Sequence, residues 1–307
     1  MQKDDVINLA SKQIRDAHKV ETLVPVIRTF FDEKTNTASH VVYCRKTRKA
    51  AIIDSVLDYE MASGKTSYDS AQEIVDFVQE SNLSVEWQLE THAHADHLSA
   101  APWLQKQVGG KLGIGKDIIR VQEVFGKIFN AGTEFERDGS QFDHLFQDGE
   151  TFFIGQLPVT VLHVPGHTPA DMAFVIGDTV FVGDTLFMPD FGTARADFPG
   201  GDARQLFRSI QRLLSLPFET KLFLCHDYKA QGRDDFVWQT TVKEQRTSNI
   251  HVNDQMSEED FVRMRQERDH KLSMPKLLMP SVQVNMRGGN FPEKENNGVS
   301  YIKIPIN

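Results

Sequence analysis

A chain of 307 residues that is 40% hydrophobic can bury a sizeable core, close to the size at which one core begins to divide. Its formal net charge of -9 excludes the broad basic face that a nucleic-acid sheath needs. Two cysteines, Cys44 and Cys225, exclude a disulfide scaffold and point to a reducing compartment. No stretch approaches membrane-spanning length, and MQKDDVINLASKQIRDAHKV has neither a secretory apolar run nor the Arg-rich, acid-poor character of a transit peptide, so the cytoplasm is the expected location.

In chain order, β-branched runs at Leu23 to Phe31, Ser39 to Cys44 and Ala50 to Asp54 predict antiparallel strands. A polar loop follows through Gly64, and Ala71, Ile74, Val75 and Val78 then recur at helical spacing. Val85 to Glu90 reads as a strand running into a histidine cluster, with helices expected at Leu98 to Val108 and Ile118 to Phe129. Gly110 to Lys116 nearly fits a phosphate loop, but Asp117 stands where a Ser or Thr would hold magnesium, and a strand and turn are expected instead. The second half repeats the theme, with strands at Thr151 to Ile154, Leu157 to His163, Met172 to Ile176 and Thr179 to Val182. A helix from Ala203 to Leu214 and a strand from Lys221 to Cys225 complete it. Strands and helices in both halves predict two packed sheets with helices outside, an α/β sandwich of αββα order. The expected division is a core over residues 22–234, an N-terminal segment over 1–21 and a C-terminal helical extension over 235–307 packed on the core.

Four metal-capable side chains, His92, His94, Asp96 and His97, directly follow the strand ending near Glu90. A loop can aim several imidazoles at one point, and burying so many titratable groups without a metal would be costly. Three more candidates lie just past other strands: His167 in Pro-Gly-His-Thr-Pro, Asp184 in Gly-Asp-Thr, and His226 in Cys-His-Asp-Tyr. Each alone is a turn or surface residue more often than a ligand; together they outline a metal centre.

In this order, HAHADH, PGHTP, GDT and CHDY resemble the metallo-β-lactamase superfamily across roughly residues 22–230. The resemblance implies a metal site at the sheet edges. In dinuclear members the matching positions would put His92, His94 and His167 on one metal, Asp96, His97 and His226 on the other, and Asp184 between them. The segments PGHTPADMAFV, GDTLF, TARADFPGGDA and HDYKAQGRDDF are similar, more narrowly, to the persulfide dioxygenase branch, and so is the extended C-terminus. That implies one Fe(II) per chain held by His92, His167 and Asp184, an arrangement leaving open positions for a substrate sulfur and O₂. Asp96, His97 and His226 would then be catalytic, and with His94 they would orient ligands and manage protons.

The same resemblance implies glutathione persulfide and O₂ as substrates, sulfite and glutathione as products, and a homodimer. No rhodanese-like segment is visible, so a sulfurtransferase partner would be a separate chain. Glutathione carries two carboxylates, which call for Arg, Lys or Tyr donors. Arg195 matches the arginine of the branch's Gly-Arg-Thr-Asp-Phe motif, with two more residues separating it from Asp184 and Ala in place of Gly and Thr; Tyr228, Arg233 and Arg246 are further candidates. The alternative is a dizinc thioester hydrolase resembling glyoxalase II, in which a metal-bridging hydroxide attacks the substrate. The TARADF and C-terminal segments favour the dioxygenase.

Overall fold

The computed structural model describes residues 3–306. Two six-stranded sheets face each other. The first orders Val26–Asp32, Thr37–Tyr43, Lys49–Ile53, Ser84–Leu89, Lys111–Gly115 and His144–Phe146. The second orders Thr151–Ile154, Leu157–His163, Met172–Ile176, Thr179–Phe181, Lys221–Phe223 and Gln239–Thr241. Val42, Ile53 and Leu89 from the first meet Val159, Phe174 and Phe181 from the second in the central core. Their neighbours one position along point the other way, as the two-residue period of a strand requires. Val41 and Ile52 therefore pack on Ile74 and Val78 of the helix Asp69–Glu80. Leu162 and Val175 pack on Leu206 and Ile210 of the helix Ala203–Leu214. The result is the αββα sandwich, with strands apolar on both faces because both faces are covered.

Several elements differ from the sequence expectation. The first strand begins at Val26 because Glu21–Leu23 form a 3-10 turn. Leu98–Ser99 pairs with Val56 and Leu57 as a short strand, so the following helix starts only at Ala101, with Pro102 in its first turn. The expected loop through Gly64 is a hairpin of Val56–Glu60 and Lys65–Ser67. Within the N-terminal segment, whose residues 1 and 2 lie outside the described residues, Lys3–Ala17 is a helix that sequence inspection assigns to no element. Its Val6, Ala10 and Ile14 recur every four residues and seal the outer face of the second sheet.

The C-terminal segment, of which residue 307 lies outside the described residues, carries the helices Glu258–Asp269 and Leu278–Asn285. The first packs Phe261 against Phe207. The second puts Val282 and Met286 among Ala93, Ala95 and Ala101, directly beneath the histidine loop. Lys111–Gly115 is a central strand, so the phosphate-loop pattern has no glycine-rich loop to realise it.

Candidate metal centre

Every metal-capable residue singled out above sits past the C-terminal end of a strand, at one edge of the sandwich. Ser84–Leu89 delivers the loop with His92, His94, Asp96 and His97; Leu157–His163 delivers His167; Thr179–Phe181 delivers Asp184; Lys221–Phe223 delivers His226. The two sheets are tied together there by Met172 N donating to Thr91 O (2.8 Å) and Ala38 N donating to Cys225 O (2.7 Å). Two glycines make the convergence possible. Gly183 has φ +53 and lies so close to Thr91 that a Cβ would meet its Oγ1 at 2.6 Å; Gly166, at φ +146, would meet Leu206 N at 2.3 Å.

Among the sets of ligand atoms that lie within 4.8 Å of one another are His92, His167 and Asp184, and His94, Asp96, His97 and His226. Asp184 faces both. Its Oδ2 lies 3.9 Å from His92 Nε2 and 3.7 Å from His167 Nε2, while Oδ1 lies 3.4 Å from His226 Nε2. His226 Nε2 is also 3.0 Å from Asp96 Oδ2.

Hydrogen bonds behind the rings determine which nitrogen is free. His92 Nδ1 donates to Thr91 Oγ1 (3.0 Å), whose own proton goes to Asp54 Oδ2 (2.9 Å). His167 Nδ1 donates to Arg195 O (2.8 Å), His226 Nδ1 to Asn36 O (3.1 Å) and His97 Nδ1 to Asp96 Oδ1 (3.3 Å). Each of these rings therefore turns an Nε2 lone pair inward. His94 is reversed: its Nε2 lies 3.1 Å from both Asp54 Oδ1 and Glu90 Oε2, leaving Nδ1 to point in. His92 Nε2, His94 Nδ1, His97 Nε2, His226 Nε2 and Asp184 Oδ1 are buried with no hydrogen-bond partner. Buried polar atoms in proteins are mostly paired, and five unpaired ones converging on one spot fit a bound metal ion. Imidazole and carboxylate donors suit zinc and iron alike.

The electrostatics agree. Burial, reinforced by His94 and His167, holds His92 well below the ordinary histidine range, so it stays a neutral donor. Burial likewise takes His97 down to about 4. For His94, burial pulls downward but Asp54 and Glu90 outweigh it and carry the ring well above its usual value. Two carboxylates on Nε2 favour positive charge at Nδ1, which a metal ion supplies as a proton would. Asp54 and Glu90 escape sequence inspection because each is a solitary acid at a strand end. Asp54 carries one further sign, a left-handed backbone at φ 52 that is uncommon outside glycine. Cys225 is buried; its thiol lies within 4.8 Å of the Asp184 and His226 ligand atoms, and burial and nearby carboxylates push its pKa well up.

A cavity of about 640 Å³ opens onto His167, Asp184 and Asp96. Phe187, Phe191 and Phe198 form an apolar wall, while Lys34, Arg268 and Lys276 bring cationic groups to it. Arg195 also lines it, but its guanidinium clamps Asp197 (2.6 and 2.7 Å) and donates to Ser273 O (2.7 Å), and its backbone carbonyl orients His167. Tyr228 lines it and donates its hydroxyl to Asp96 Oδ2 (3.3 Å) while stacking on His226. Two candidates do not reach the cavity, which corrects the expectation for them. Arg233 is held by Asp190 and Asp227, closing the loop after His226, and Arg246 pairs with Asp254 (2.8 Å) over the Phe218 ring. Arg268 and Lys276 line the cavity instead, and nothing in the sequence distinguishes these two from other surface cations.

An αββα sandwich whose strand ends converge seven His and Asp side chains is the architecture of a metal-dependent enzyme. The sequence profile of the Metallo-beta-lactamase superfamily matches residues 35–226, and the chain belongs to that superfamily. A probable metallo-hydrolase of Burkholderia pseudomallei is 51% identical over 91% of this chain and 98% of its own length. Glyoxylase B2 of Dictyostelium discoideum is 47% identical, covering 92% and 97%. The mitochondrial persulfide dioxygenase ETHE1 of Bos taurus is 27% identical, covering 92% and 96%. Among solved structures, ETHE1 from Myxococcus xanthus superposes with a TM-score of 0.69 at 28% identity, covering 86% of this chain and all of that one. Among the described residues no helix is long and apolar enough to cross a membrane.

Proposed function

We propose that this protein is an iron-dependent persulfide dioxygenase that oxidises the outer sulfur of glutathione persulfide with O₂ and hydrolyses the product with one water to sulfite and glutathione, holding one Fe(II) per chain on His92, His167 and Asp184. The observation that carries the proposal is the grouping of ligand atoms. His92, His167 and Asp184 form a compact set of two imidazoles and one carboxylate, with the His94 ring beside that of His92. Those three residues would hold a ferrous ion, which when bound would offer open positions to a sulfur anion and O₂. Similarity to the persulfide dioxygenases of mammals and the ETHE1 structure supports the same reading.

The chain's own residues account for the remaining requirements. Phe187, Phe191 and Phe198 give the cavity an apolar wall, and Arg268 and Lys276, which also line it, suit the two carboxylates of glutathione. The cavity volume lies in the range of small-molecule sites. The Tyr228 hydroxyl on Asp96 Oδ2 holds a proton at the cavity wall, where leaving thiolate and product oxyanion need one. A separate sulfurtransferase chain would deliver the persulfide, and a homodimer is the proposed assembly.

The second reading, a dizinc thioester hydrolase, draws on the split carboxylate of Asp184 and on the glyoxylase-named relative. Anaerobic purification with metal analysis separates the two, followed by O₂ uptake on glutathione persulfide and lactoylglutathione hydrolysis in parallel. One iron per chain with persulfide-dependent O₂ consumption supports the dioxygenase. Two zinc ions with thioester cleavage and no O₂ uptake overturn it.

A further inference from the structure

The histidine loop is short, carries four metal-capable side chains in six positions, and includes no helix or strand of its own between Glu90 and Leu98. Its backbone therefore needs partners from elsewhere. One side chain supplies two of them and a third just past the loop. Asn285, the last residue of the helix Leu278–Asn285, donates both hydrogens of its Nδ2 amide, one to His94 O and one to His97 O, each at 2.8 Å. Its Oδ1 accepts from Ser99 N at 2.9 Å. The residue is 4% exposed. A carboxamide has two donors and one acceptor atom, and here all are spent on one loop.

We infer that Asn285 is a positioning residue of the metal centre: the C-terminal helix reaches back across the chain and holds the loop that bears the ligand His92 together with His94, Asp96 and His97. The fit is specific to the amide. Aspartate would set a carboxylate oxygen against two carbonyl oxygens, and alanine would strand two buried carbonyls and one buried N–H. The helix is itself fixed in place. Val282 and Met286 pack among Ala93, Ala95 and Ala101, and Gln122 Nε2 donates to Met286 O (2.9 Å). Gly289, at φ +80, follows so closely over the loop's exit that a Cβ would meet Pro102 Cδ at 2.6 Å. Ser99, held by Asn285 through its N–H, donates its hydroxyl to Glu90 Oε1 (2.5 Å), and Glu90 accepts from His94 Nε2. The clamp thus grips the loop backbone at His94 and His97 and, through Ser99 and Glu90, the far side of the His94 ring.

The inference concerns metal binding and stands whichever reaction the centre performs. The test compares N285A and N285D with V284A. Val284 belongs to the same helix and packs under Leu98 and Leu104 without touching the ligand loop's carbonyls, so V284A weakens the helix's packing and leaves the clamp intact. Dissociation constants for Fe(II) are measured anaerobically against a chromophoric chelator, beside the urea midpoint of each metal-free protein. Loss of an outer partner of a metal ligand typically costs about 10–100-fold in metal affinity. We expect the Fe(II) constant to rise about tenfold or more in N285A and N285D and to stay within about twofold in V284A, although all three lower the urea midpoint. Should N285A be recovered only unfolded, N285S, which keeps one donor, and G289A, which lifts the helix end from the loop, carry the same comparison. Equal Fe(II) constants for the Asn285 variants and the parent, or a rise in V284A as large as theirs, would reduce Asn285 to a packing residue and overturn the inference.

Discussion

His94 Nε2 lies 3.1 Å from Asp54 Oδ1, and this contact, with the equal one to Glu90 Oε2, turns the ring so that Nδ1 rather than Nε2 faces the other ligands. Asp54 also accepts from Thr91 N (2.8 Å) and Thr91 Oγ1 (2.9 Å), and that hydroxyl in turn holds His92. One carboxylate thereby sets the orientation of a histidine in each ligand group. Asp54→Asn keeps the shape and removes the charge. Its metal dissociation constant should rise about 10–100-fold. Competitive titration with a chelator measures it, and a constant within about twofold of the parent would show that the carboxylate's charge does not matter to the centre.

The two ligand groups should respond differently to truncation. Under the proposed mononuclear arrangement, His167→Ala and Asp184→Ala lose bound iron, whereas His97→Ala retains one iron per chain and loses turnover. Metal content after anaerobic reconstitution and desalting is the readout. Loss of half the metal in His97→Ala, from two ions to one, would favour a dinuclear centre instead. Removing the metal from the parent should also destabilise the fold, because an ion bound only by the native state, at a free concentration of about 100 times its Kd, contributes about 2.7 kcal/mol.

Much of the centre was legible in the sequence because its ligands come in short local clusters after strands. The loop from His92 to His97 is contiguous, and His167, Asp184 and His226 each sit in a tight Gly- or Pro-marked turn or immediately past a strand. What surrounds them was not legible, because the contacts are long-range. Asn285 is 191 residues from the carbonyl it holds at His94, and Asp54 is 40 residues from the imidazole it turns. The same reason explains the misassigned elements. Leu98–Ser99 is a strand only because Val56 and Leu57 lie alongside it, and the helix Lys3–Ala17 has a narrow apolar stripe that becomes meaningful once a sheet is there to receive it. Arg233 and Arg246 were plausible donors by position, yet nearby aspartates pair with both.

Arg268 and Lys276 belong to the C-terminal segment and line the metal-bearing cavity, and their side chains make no ion pair or hydrogen bond among the described residues. Free cations facing a cavity are available to an anionic ligand. In the double variant R268A/K276A the KM for glutathione persulfide should rise about tenfold, at roughly 0.2–1 kcal/mol for each exposed pair lost, with kcat nearly unchanged. Arg246→Ala, whose partner Asp254 is remote from the cavity, should leave both constants unaltered. Steady-state kinetics decide this, and an unchanged KM in the double variant would remove these two residues from substrate recognition.

His40 gives the fold an acid limit independent of the metal ligands. It is 1% exposed; its Nε2 donates to Leu224 O (3.1 Å), and the Thr29 hydroxyl donates to its Nδ1 (2.9 Å), so the neutral ring is satisfied at both nitrogens. Burial lowers its pKa to about 4, against an ordinary 6.5. The unfolded chain therefore takes up this proton at a higher pH than the folded one. Stability from this source is complete above about pH 6.5 and declines as the pH falls toward 4, by roughly 3 kcal/mol in total. His40→Gln, which cannot titrate, should lower stability at pH 7.5 and flatten its fall between pH 6.5 and 4. Urea unfolding of the metal-free parent and variant across that window measures the difference, in which the contributions of the other histidines cancel. Parallel curves for the two proteins would mean that His40 is not held neutral by the fold.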